Sequence, residues 1–351
     1  MSDSQSIIDI FKLRYEAQFH EPVSSIRVVQ QWQRTFSEIF LLEFVAGQET
    51  RRIIGKRIVH HVSNDVYSDR GNPAQIEFDA LQSLDFSKID NCNVPRPWLI
   101  DTESQCYFMD FVEGEELESL MSSLRFFVPR TSFMQLGQVY FQAGRWLGHF
   151  QQLTGTEHSD ERALESIVLH CNHRLQSIEN ENDSRVPKYF RQVVLAQVDE
   201  LLQSVTESIP VAGCHGDFGP WNMIMRGDEL TVIDFYSFRR EFIAIDPTNV
   251  LVNLENQRAA PSFSRRRIDM LAAEFLMGYG LEYELDLAAL EIAEIFYRVC
   301  SIHGSLLSRG DYFRERLRAR RIMKRNLAWL MSPRERVSVW RQVGRRAACL
   351  A

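Results

Sequence analysis

The feature that most constrains the fold of this chain is a change of apolar pattern near Glu115. Before it, short segments rich in β-branched and aromatic residues predict strands: SSIRVVQQW, SEIFLLEFVAG, TRRIIGKRIVHHV, RPWLID and QCYFMDFVEG. After it, long segments with apolar residues at helical spacing predict helices, as in SFMQLGQVYFQAGRWLGHFQQL. The sequence therefore predicts an α+β protein in which a small antiparallel sheet precedes a larger, mainly helical region.

The small β region also contains one predicted helix between its strands. The segment NPAQIEFDALQSLDF has apolar residues at helical spacing, and Asn72 and Pro73 are typical start signals. We place the boundary between the two lobes at residue 112, so that residues 1–112 form the β lobe and residues 113–351 the helical lobe. Ligand sites are common in the cleft where two lobes join.

Composition indicates an ordinary globular protein. Of the 351 residues, 45% are hydrophobic and 25% are charged, which is typical of a chain that buries a large core. No apolar run reaches the roughly 18 residues that a membrane span needs, and no signal-peptide core is visible. The six cysteines lack metal-ligand spacing and suit reduced thiols. We therefore expect a cytoplasmic protein without a membrane span.

The net charge of −7 conceals a basic C-terminal region. From Ser308 to Ala347, thirteen Lys and Arg residues face three Asp and Glu residues, so the rest of the chain is acidic and we expect no nucleic-acid partner. The simplest interpretation of RERLRARRIMKR is a solvated helix with Leu317, Ile322 and Leu327 on its inward face. Attraction of an anion to this region is the alternative.

A polar cluster begins at His215 in HGDFGPWNMIM and ends with VIDF. Such closely spaced polar groups are costly to bury unless they bind something. The oxygen donors of Asn222 and Asp234 suit Mg²⁺, which takes few protein ligands and completes its shell with phosphate and water. Asp217 would then accept the proton of a substrate hydroxyl during phosphoryl transfer. The surrounding pattern predicts a loop, a strand, a turn and a second strand.

Phosphoryl transfer also requires a cation near the other phosphates, and Lys56 in RRIIGKRIV is the candidate. On a strand, Lys56 shares a face with Ile54 and Ile58, so its ammonium needs a partner there. Glu77 on the predicted helix is the natural one, and the pair would hold the lysine toward the α- and β-phosphates. The alternative is a lysine that faces solvent like the neighbouring arginines.

These elements together resemble the aminoglycoside phosphotransferase and choline kinase family of small-molecule kinases. The resemblance rests on a strand lysine, a helix acid, FMDFVEG after a further strand, HGDFGPWN and IDF, in that order, and extends from about Ile26 to Asp246. It implies a bilobal protein-kinase-like fold, with residues 1–112 as the nucleotide-binding lobe and residues 113–351 as the catalytic and substrate-binding lobe. It implies ATP and Mg²⁺ as cofactors, with GTP as an alternative nucleotide.

The resemblance assigns roles to individual residues. Asp217 matches the catalytic base of the family, and Asn222 with Asp234 matches its magnesium ligands. Lys56 and Glu77 match its ion pair. The partner is then a small molecule that offers a hydroxyl group as the acceptor.

Further roles follow from the same resemblance. Met109 would lie at the back of the nucleotide pocket, and the backbone of Asp110 and Val112 would hydrogen-bond the adenine edge. His215 would orient its loop without transferring protons. Asp246 would brace the catalytic loop and is not expected to be catalytic.

One segment departs from the usual pattern. The turn that covers the phosphates in a kinase is commonly rich in glycine, which lets backbone N–H groups approach closely. Here that place reads QQWQRTFSEIF and contains no glycine. Ser37 would supply a hydroxyl or N–H group to the phosphates, or it is an ordinary turn serine.

Three functional hypotheses follow. The leading one is an ATP-dependent phosphotransferase that transfers the γ-phosphate to a hydroxyl of an aminoglycoside, sugar, amino alcohol or related metabolite. The second is a catalytically silent kinase-like nucleotide-binding scaffold, which the glycine-free turn favours. The third, a phosphohydrolase using His215, Asp217 and Asp234, would leave Lys56 and Glu77 unexplained. The sequence leaves the acceptor and the oligomeric state open.

Overall fold

The three-dimensional structure is a computed structural model. It describes residues 3–34, 36–59, 71–125, 127, 129–159, 161–205, 208–280, 285–308, 313–333 and 337–340. The chain forms two compact units. The first comprises Met1–Glu115 and Asn222–Phe238, and the second comprises Glu116–Trp221 and Arg239–Ala351.

Helices and strands are numbered in chain order. The strands are β1 (Val23–Gln33), β2 (Ser37–Ala46), β3 (Glu49–Ile58), β4 (Cys92–Asn93), β5 (Pro97–Asp101), β6 (Cys106–Asp110), β7 (Glu115–Glu116), β8 (Glu157–Ser159), β9 (Ile209–Cys214), β10 (Met223–Arg226), β11 (Glu229–Val232) and β12 (Arg239–Phe242). The helices are α1 (Asp3–Phe19), α2 (Pro73–Ser83), α3 (Leu117–Ser123), α4 (Arg130–Leu153), α5 (Glu165–Asn180), α6 (Phe190–Ser204), α7 (Ile245–Gln257), α8 (Arg265–Tyr279), α9 (Leu287–Leu307) and α10 (Phe313–Met331). Short 3₁₀ turns span Glu161–Leu164, Pro220–Asn222 and Phe235–Ser237.

The first unit is built on a five-stranded antiparallel sheet of order β1-β2-β3-β6-β5. Its strands correspond to the five predicted ones. The turn between β2 and β3 contains Gly47, whose φ of 58° is in the left-handed region that glycine adopts without strain. The predicted extension of β3 to Val62 falls outside the described residues. The α+β class is confirmed.

Helix α1 covers one face of this sheet. Its residues Ile7 and Phe11 pack in a buried cluster with Phe108 of β6, and the Phe11 and Phe108 rings are 5.1 Å apart. Gly55 of β3 lies against them, and a β-carbon there would crowd the Phe108 ring and Ile7. Because side chains alternate along a strand, Lys56 points to the opposite face.

Helix α2 begins where the sequence predicts it. The Asn72 side chain accepts hydrogen bonds from the N–H groups of Ala74 and Gln75, and Pro73 occupies the first helical turn, where it displaces no helical hydrogen bond. This start determines which side chains of α2 face inward. Glu77, one turn into the helix, is fully buried.

The second unit is mainly helical, with a small sheet of order β12-β9-β8. The apolar stripe predicted for α4 is buried: Leu136, Val139, Tyr140, Ala143, Leu147 and Phe150. Helices α4 and α8 approach each other at glycines. A β-carbon on Gly144 would overlap the carbonyl oxygen of Phe275, and one on Gly278 would overlap that of Phe141. The two backbones are therefore in direct contact.

The basic helix α10 differs from its predicted orientation. Its buried side chains are Met323, Asn326 and Leu330, whereas Leu317 is 36% exposed and the other two residues predicted to face inward are half-buried. The prediction of which α10 residues face inward is therefore wrong. The apolar Met323 and Leu330 were missed as well as the polar Asn326, because the pattern of one helix does not show which side its neighbours cover. Asn326 is tolerated there because its amide group is hydrogen-bonded to Arg298 and Asn256.

Composition predicted that the chain has no membrane span and that its cysteines are reduced thiols. No helix in the described residues is long and apolar enough to cross a membrane. Cys92, Cys106, Cys171 and Cys214 are buried free thiols, and Cys300 is a half-buried one.

The close approach of α4 and α8 generates a stability prediction. Gly278→Ala should destabilise the protein by about 2 kcal/mol, because the added methyl group forces the packed backbones apart. Gly304→Ala is the matched control in α9, since no atom lies within 4 Å of a β-carbon there; it should stabilise by roughly 0.5–1 kcal/mol through helix propensity. Urea denaturation measures both changes, and equal effects of the two variants would contradict this packing.

Candidate active site

The predicted ion pair between Lys56 and Glu77 forms in the first unit. The Lys56 ammonium on β3 lies 3.0 and 2.8 Å from the two carboxylate oxygens of Glu77 on α2. It also donates to a carboxylate oxygen of Asp234 at 2.7 Å. Lys56 is 4% exposed, so the alternative of a solvent-facing lysine is wrong.

Burial and charge act in opposite directions on this cluster. Burial lowers the pKa of Lys56, but the carboxylates of Asp234 and Glu77 outweigh it, so the pKa lies above its usual value. Burial raises the pKa of Glu77, and the Lys56 charge opposes that shift. One ammonium therefore faces two carboxylates, and the excess negative charge favours a further cation. Because the Asp234 side chain is 43% exposed, that charge is accessible to solvent.

Tyr107 is a member of this cluster that the sequence reasoning missed. It lies opposite Lys56 in the ladder between β3 and β6. Burial raises the pKa of its phenol well above the usual value, and the neighbouring Glu77 and Asp234 carboxylates add to the shift. The phenol thus stays neutral beside the buried charges. A strand tyrosine in QCYFMDF carries no local signal of this contact.

Asn222 and Asp234 lie at the same end of a β-hairpin in the first unit. Strands β10 and β11 pair antiparallel with Met223 opposite Val232, and the Ile233 N–H group donates to the Asn222 carbonyl oxygen at 3.0 Å. Asn222 directly precedes β10, and Asp234 follows β11 by two residues. The hairpin therefore places the two predicted metal ligands at the same end of its two paired strands.

This pair fits a hard divalent cation. An amide oxygen and a carboxylate are the donor types that Mg²⁺ prefers. Within the described residues, no group of three or more His, Cys, Asp or Glu side chains is placed to hold a metal ion. Two protein donors suit Mg²⁺ in a nucleotide site, because phosphate and water oxygens complete its shell.

The backbone at Asp234 has an uncommon conformation. Its φ of 70° and ψ of 68° are left-handed, a region that few non-glycine residues adopt, although Asp is enriched there. The chain then enters the 3₁₀ turn Phe235–Ser237, with Phe235 fully buried. Such a conformation costs of order 1–3 kcal/mol and persists only where surrounding contacts fix it. The Lys56 ammonium supplies one such contact.

The connection between β1 and β2 contacts this segment through aromatic rings. Phe36 stacks on Tyr236, with ring centroids 6.3 Å apart and an interplanar angle of 5°. Ser37, the first residue of β2, is buried and lies opposite Ile58, and its carbonyl oxygen accepts the Arg34 N–H group at 2.8 Å. The role of Ser37 in phosphate binding stays a prediction.

The residues predicted to contact the adenine lie at the end of β6 and just after it. Met109 is buried within that strand. The Asp110 N–H group donates to the carbonyl oxygen of Arg96 at 3.0 Å, and the Asp110 carboxylate accepts the indole N–H group of Trp98 at 2.6 Å. Val112 is half-buried in the segment after the strand. Their nucleotide contacts remain predictions.

Asp217 lies in the loop after β9 in the second unit. Its carboxylate accepts the indole N–H group of Trp221 at 3.0 Å, and its N–H group donates to Nδ1 of His215 at 3.3 Å. Phe218, the next residue, is fully buried and stacks on Trp146 with ring centroids 5.4 Å apart. The loop is therefore anchored on both sides of a half-buried carboxylate.

Asp246 holds the start of the same loop. Its carboxylate, fully buried in the first turn of α7, accepts the N–H groups of His215 at 2.6 Å and Gly216 at 2.9 Å. Gly216 has a φ of 80°, a conformation that favours glycine. Burial raises the pKa of Asp246 to about 7, although both N–H groups act to lower it. Asp246 thus braces the loop, as the resemblance implies.

Known proteins resemble the chain in sequence and in fold. A model of the phosphotransferase enzyme family matches residues 65–290. A comparison with curated proteins found no match. Among solved structures, a choline/ethanolamine kinase family protein from Mesorhizobium loti has 14% identity and a TM-score of 0.53, with 99% of this chain and 100% of that chain covered.

Two further structures have the same fold. Amicoumacin kinase, solved in complex with AMP-PNP, Ca²⁺ and Ami, has 18% identity and a TM-score of 0.55, with 93% of each chain covered. Choline kinase from Cryptosporidium parvum Iowa II has 13% identity and a TM-score of 0.57, with 93% of this chain and 95% of that chain covered. The predicted protein-kinase-like fold is confirmed.

The ring stack generates a coupling prediction. In a double-mutant cycle, Phe36→Ala and Tyr236→Ala should have a coupling energy of about 0.5–1.5 kcal/mol in the free energy of unfolding, because each ring contacts the other. The control cycle pairs Phe36→Ala with Tyr189→Ala, whose ring lies in the second unit and is 57% exposed; it should give a coupling close to zero. A Phe36–Tyr236 coupling equal to the control would refute the stack.

The shifted pKa of Asp246 generates a pH prediction. With a folded pKa of about 7 and an unfolded pKa of about 4, the carboxyl group binds a proton more tightly in the folded state. The stability it contributes is therefore present below about pH 4 and lost as the pH rises through about 7. The free energy of unfolding of the wild type, relative to Asp246→Asn, should fall between about pH 5 and about pH 7, by at most about 1.4 kcal/mol per pH unit.

Urea denaturation of both proteins across this range measures the difference. A difference that stays constant, or that grows in favour of the wild type with rising pH, would contradict the raised pKa.

Proposed function

The chain belongs to the phosphotransferase enzyme family, and on this premise we propose that it is an ATP-dependent kinase that phosphorylates a hydroxyl group of a small molecule. The observation that carries the proposal is the buried Lys56 ammonium bonded to both Glu77 and Asp234. A lysine with a purely structural role needs one carboxylate partner. The second partner here, Asp234, is half-exposed and lies at the same hairpin end as Asn222, which suits a site for a nucleotide with its metal ion.

In this proposal, Lys56 holds the α- and β-phosphates of ATP. Glu77 keeps the ammonium extended and charged, since an unpaired buried lysine would lose its proton. Tyr107 fills the space beside Glu77 and excludes water from the pair. The predicted base contacts come from Met109 and from the backbone of Asp110 and Val112, which hydrogen-bond the adenine edge.

Asp217 is the proposed base. The acceptor hydroxyl donates its hydrogen bond to the Asp217 carboxylate, its oxygen bonds to the γ-phosphorus, and the bond from that phosphorus to the bridging oxygen breaks to release ADP. The hydroxyl proton passes to Asp217. Trp221 orients the carboxylate, and Asp246 keeps the loop in place through the N–H groups of His215 and Gly216.

Asn222 and Asp234 would hold Mg²⁺, which supplies charge neutralisation for the phosphates when bound. The donor types and their shared hairpin end support this assignment. Amicoumacin kinase, which has the same fold, was solved with AMP-PNP and Ca²⁺, and this supports a nucleotide and a divalent cation here. In this proposal, Ser37 in the glycine-free segment also contacts the phosphates.

The test compares Asp217→Asn with Asp199→Asn, a matched change of an exposed aspartate on α6. Acceptor-dependent ADP release across a panel of hydroxyl compounds should fall by about 10²- to 10⁴-fold for Asp217→Asn and stay unchanged for Asp199→Asn. Calorimetry with ATP and Mg²⁺ should give the same affinity for both variants. Unchanged turnover in Asp217→Asn would remove this residue from the mechanism.

The same calorimetry separates the kinase from the alternative of a catalytically silent scaffold. A kinase binds ATP with Mg²⁺ and releases ADP when an acceptor is present. No heat of binding at millimolar ATP would reject the kinase, and binding without turnover for any hydroxyl compound would favour the scaffold.

A further inference from the structure

A short segment after α10, Val337–Trp340, is held in the second unit by hydrogen bonds, and we call it the C-terminal segment. The Ser338 hydroxyl and the Val339 N–H group both donate to one carboxylate oxygen of Glu294 on α9, at 2.7 and 3.1 Å. The other oxygen accepts two N–H groups of Arg298, at 2.9 and 2.7 Å. Glu294 is fully buried, and a buried carboxylate is stable only with such partners. The C-terminal segment is therefore part of the packed unit.

The last residue of the C-terminal segment reaches α7. The indole N–H group of Trp340 donates to the hydroxyl oxygen of Thr248 at 3.0 Å. That hydroxyl donates its own hydrogen to the carbonyl oxygen of Ala244 at 2.6 Å. Thr248 is fully buried, and a hydroxyl oxygen at this depth needs a donor from the protein. Trp340 supplies that donor.

The start of α7 also holds the loop that contains Asp217. Two residues before Thr248, the Asp246 carboxylate accepts two backbone N–H groups of the loop, at 2.6 and 2.9 Å. One residue after Thr248, the side-chain amide of Asn249 donates to the carbonyl oxygen of Phe218 at 3.3 Å. These contacts lie just before and just after Asp217. A displacement of the start of α7 would therefore move the loop on both sides of the proposed base.

We propose that Trp340 is a positioning residue for the proposed base Asp217. Its hydrogen bond to Thr248 fixes the start of α7, and α7 fixes the loop through Asp246 and Asn249. Trp340 thus acts through the helix and not through contact with the substrate. A small displacement of a catalytic group lowers the rate of the chemical step strongly. The inference rests on the proposed kinase function, since it adds a positioning residue to that site.

The first experiment measures the loop without requiring turnover. Trp340→Phe removes the N–H donor and keeps an aromatic ring. Hydrogen exchange with mass spectrometry gives the exchange rate of the peptide that contains the His215 and Gly216 N–H groups, divided by the rate in α9 as a measure of general destabilisation. This ratio should rise by about 3- to 10-fold, because the loop detaches more often from Asp246.

Trp329→Phe is the matched control. It makes the same chemical change in the same unit, and the bond that it removes, from the Trp329 indole to the Val337 carbonyl oxygen at 3.2 Å, does not end on α7. The exchange ratio should stay unchanged in this variant. An unchanged ratio in Trp340→Phe, or an equal rise in both variants, would overturn the inference whether or not the protein binds ATP.

The second experiment asks whether catalysis uses this contact. In acceptor-dependent ADP release, Trp340→Phe should lower kcat by about 3- to 10-fold, because the base is displaced. KM for ATP should change by less than about 2-fold, since Lys56 and the other residues proposed to bind the nucleotide belong to the first unit. Assays well below the midpoint of thermal unfolding keep both proteins folded, so a purely structural role of the indole would leave kcat unchanged.

Variants of Thr248 test the same bond from its other side. Thr248→Val removes the hydroxyl at nearly constant volume and should lower kcat as much as Trp340→Phe does. Thr248→Ser keeps the hydroxyl and should retain the wild-type kcat. The double variant of Trp340→Phe and Thr248→Val should lose no more activity than either single variant, because both changes remove one interaction.

The two failures are distinguishable. A wild-type kcat in Trp340→Phe, or losses that multiply in the double variant, would overturn the inference and leave the kinase intact. Absence of ATP binding in calorimetry would reject the kinase, and with it a role of Trp340 in catalysis.

Discussion

The first unit depends on one buried cation. Lys56 forms hydrogen bonds with carboxylates from α2 and from the end of the β10–β11 hairpin, so a single ammonium joins three parts of the unit that are far apart in sequence. Removing such charges from water is expensive, and only multiple short hydrogen bonds compensate for it. Two carboxylate partners instead of one keep the buried ammonium charged. One of them, Asp234, is itself half-exposed. The same cluster thus joins three parts of the unit and contains one more carboxylate than ammonium.

Asp234 also shows how the backbone contributes to the site. Its left-handed conformation directs the chain from β11 into the turn that carries Tyr236. On that turn, the ring of Tyr236 meets Phe36 from the connection between β1 and β2. In a kinase with a glycine-rich turn, the backbone N–H groups of that connection hydrogen-bond the phosphates and so hold it over them. Here an aromatic contact fixes the connection relative to the segment of the proposed metal ligand.

The second unit fixes its loop by a different interaction. Instead of an ion pair, the Asp246 carboxylate accepts two backbone N–H groups, which determines the path of the chain just before Asp217. Burial disfavours the charge on Asp246 and the N–H donors favour it. The loop therefore depends on a carboxylate whose pKa lies near neutrality. A carboxylate bound this way orients the backbone without needing a cationic partner.

Local pattern was sufficient for the five strands of the large antiparallel sheet and for the start of α2, but it left open whether Lys56 points inward or to solvent. Alternation along β3 put Lys56 on the same face as Ile54 and Ile58, and the structure shows that Lys56 is buried there with two carboxylate partners. Local pattern failed for α10, whose buried residues are Met323, Asn326 and Leu330, because the buried side of a helix depends on which elements pack against it. It also could not identify Tyr107 or Phe36 as part of the site, since neither carries a motif. Their partners are distant in sequence.

The sequence by itself determined the donor types and their spacing: an amide and two carboxylates in HGDFGPWN and IDF, with a lysine and a glutamate placed on one strand and one helix. Only the tertiary structure decided that Lys56 bonds Asp234 as well as Glu77 and that Tyr107 lies against that pair. The reason is physical. Spacing fixes which residues share a face of one element, whereas charge state, burial and ion partners depend on which elements pack together.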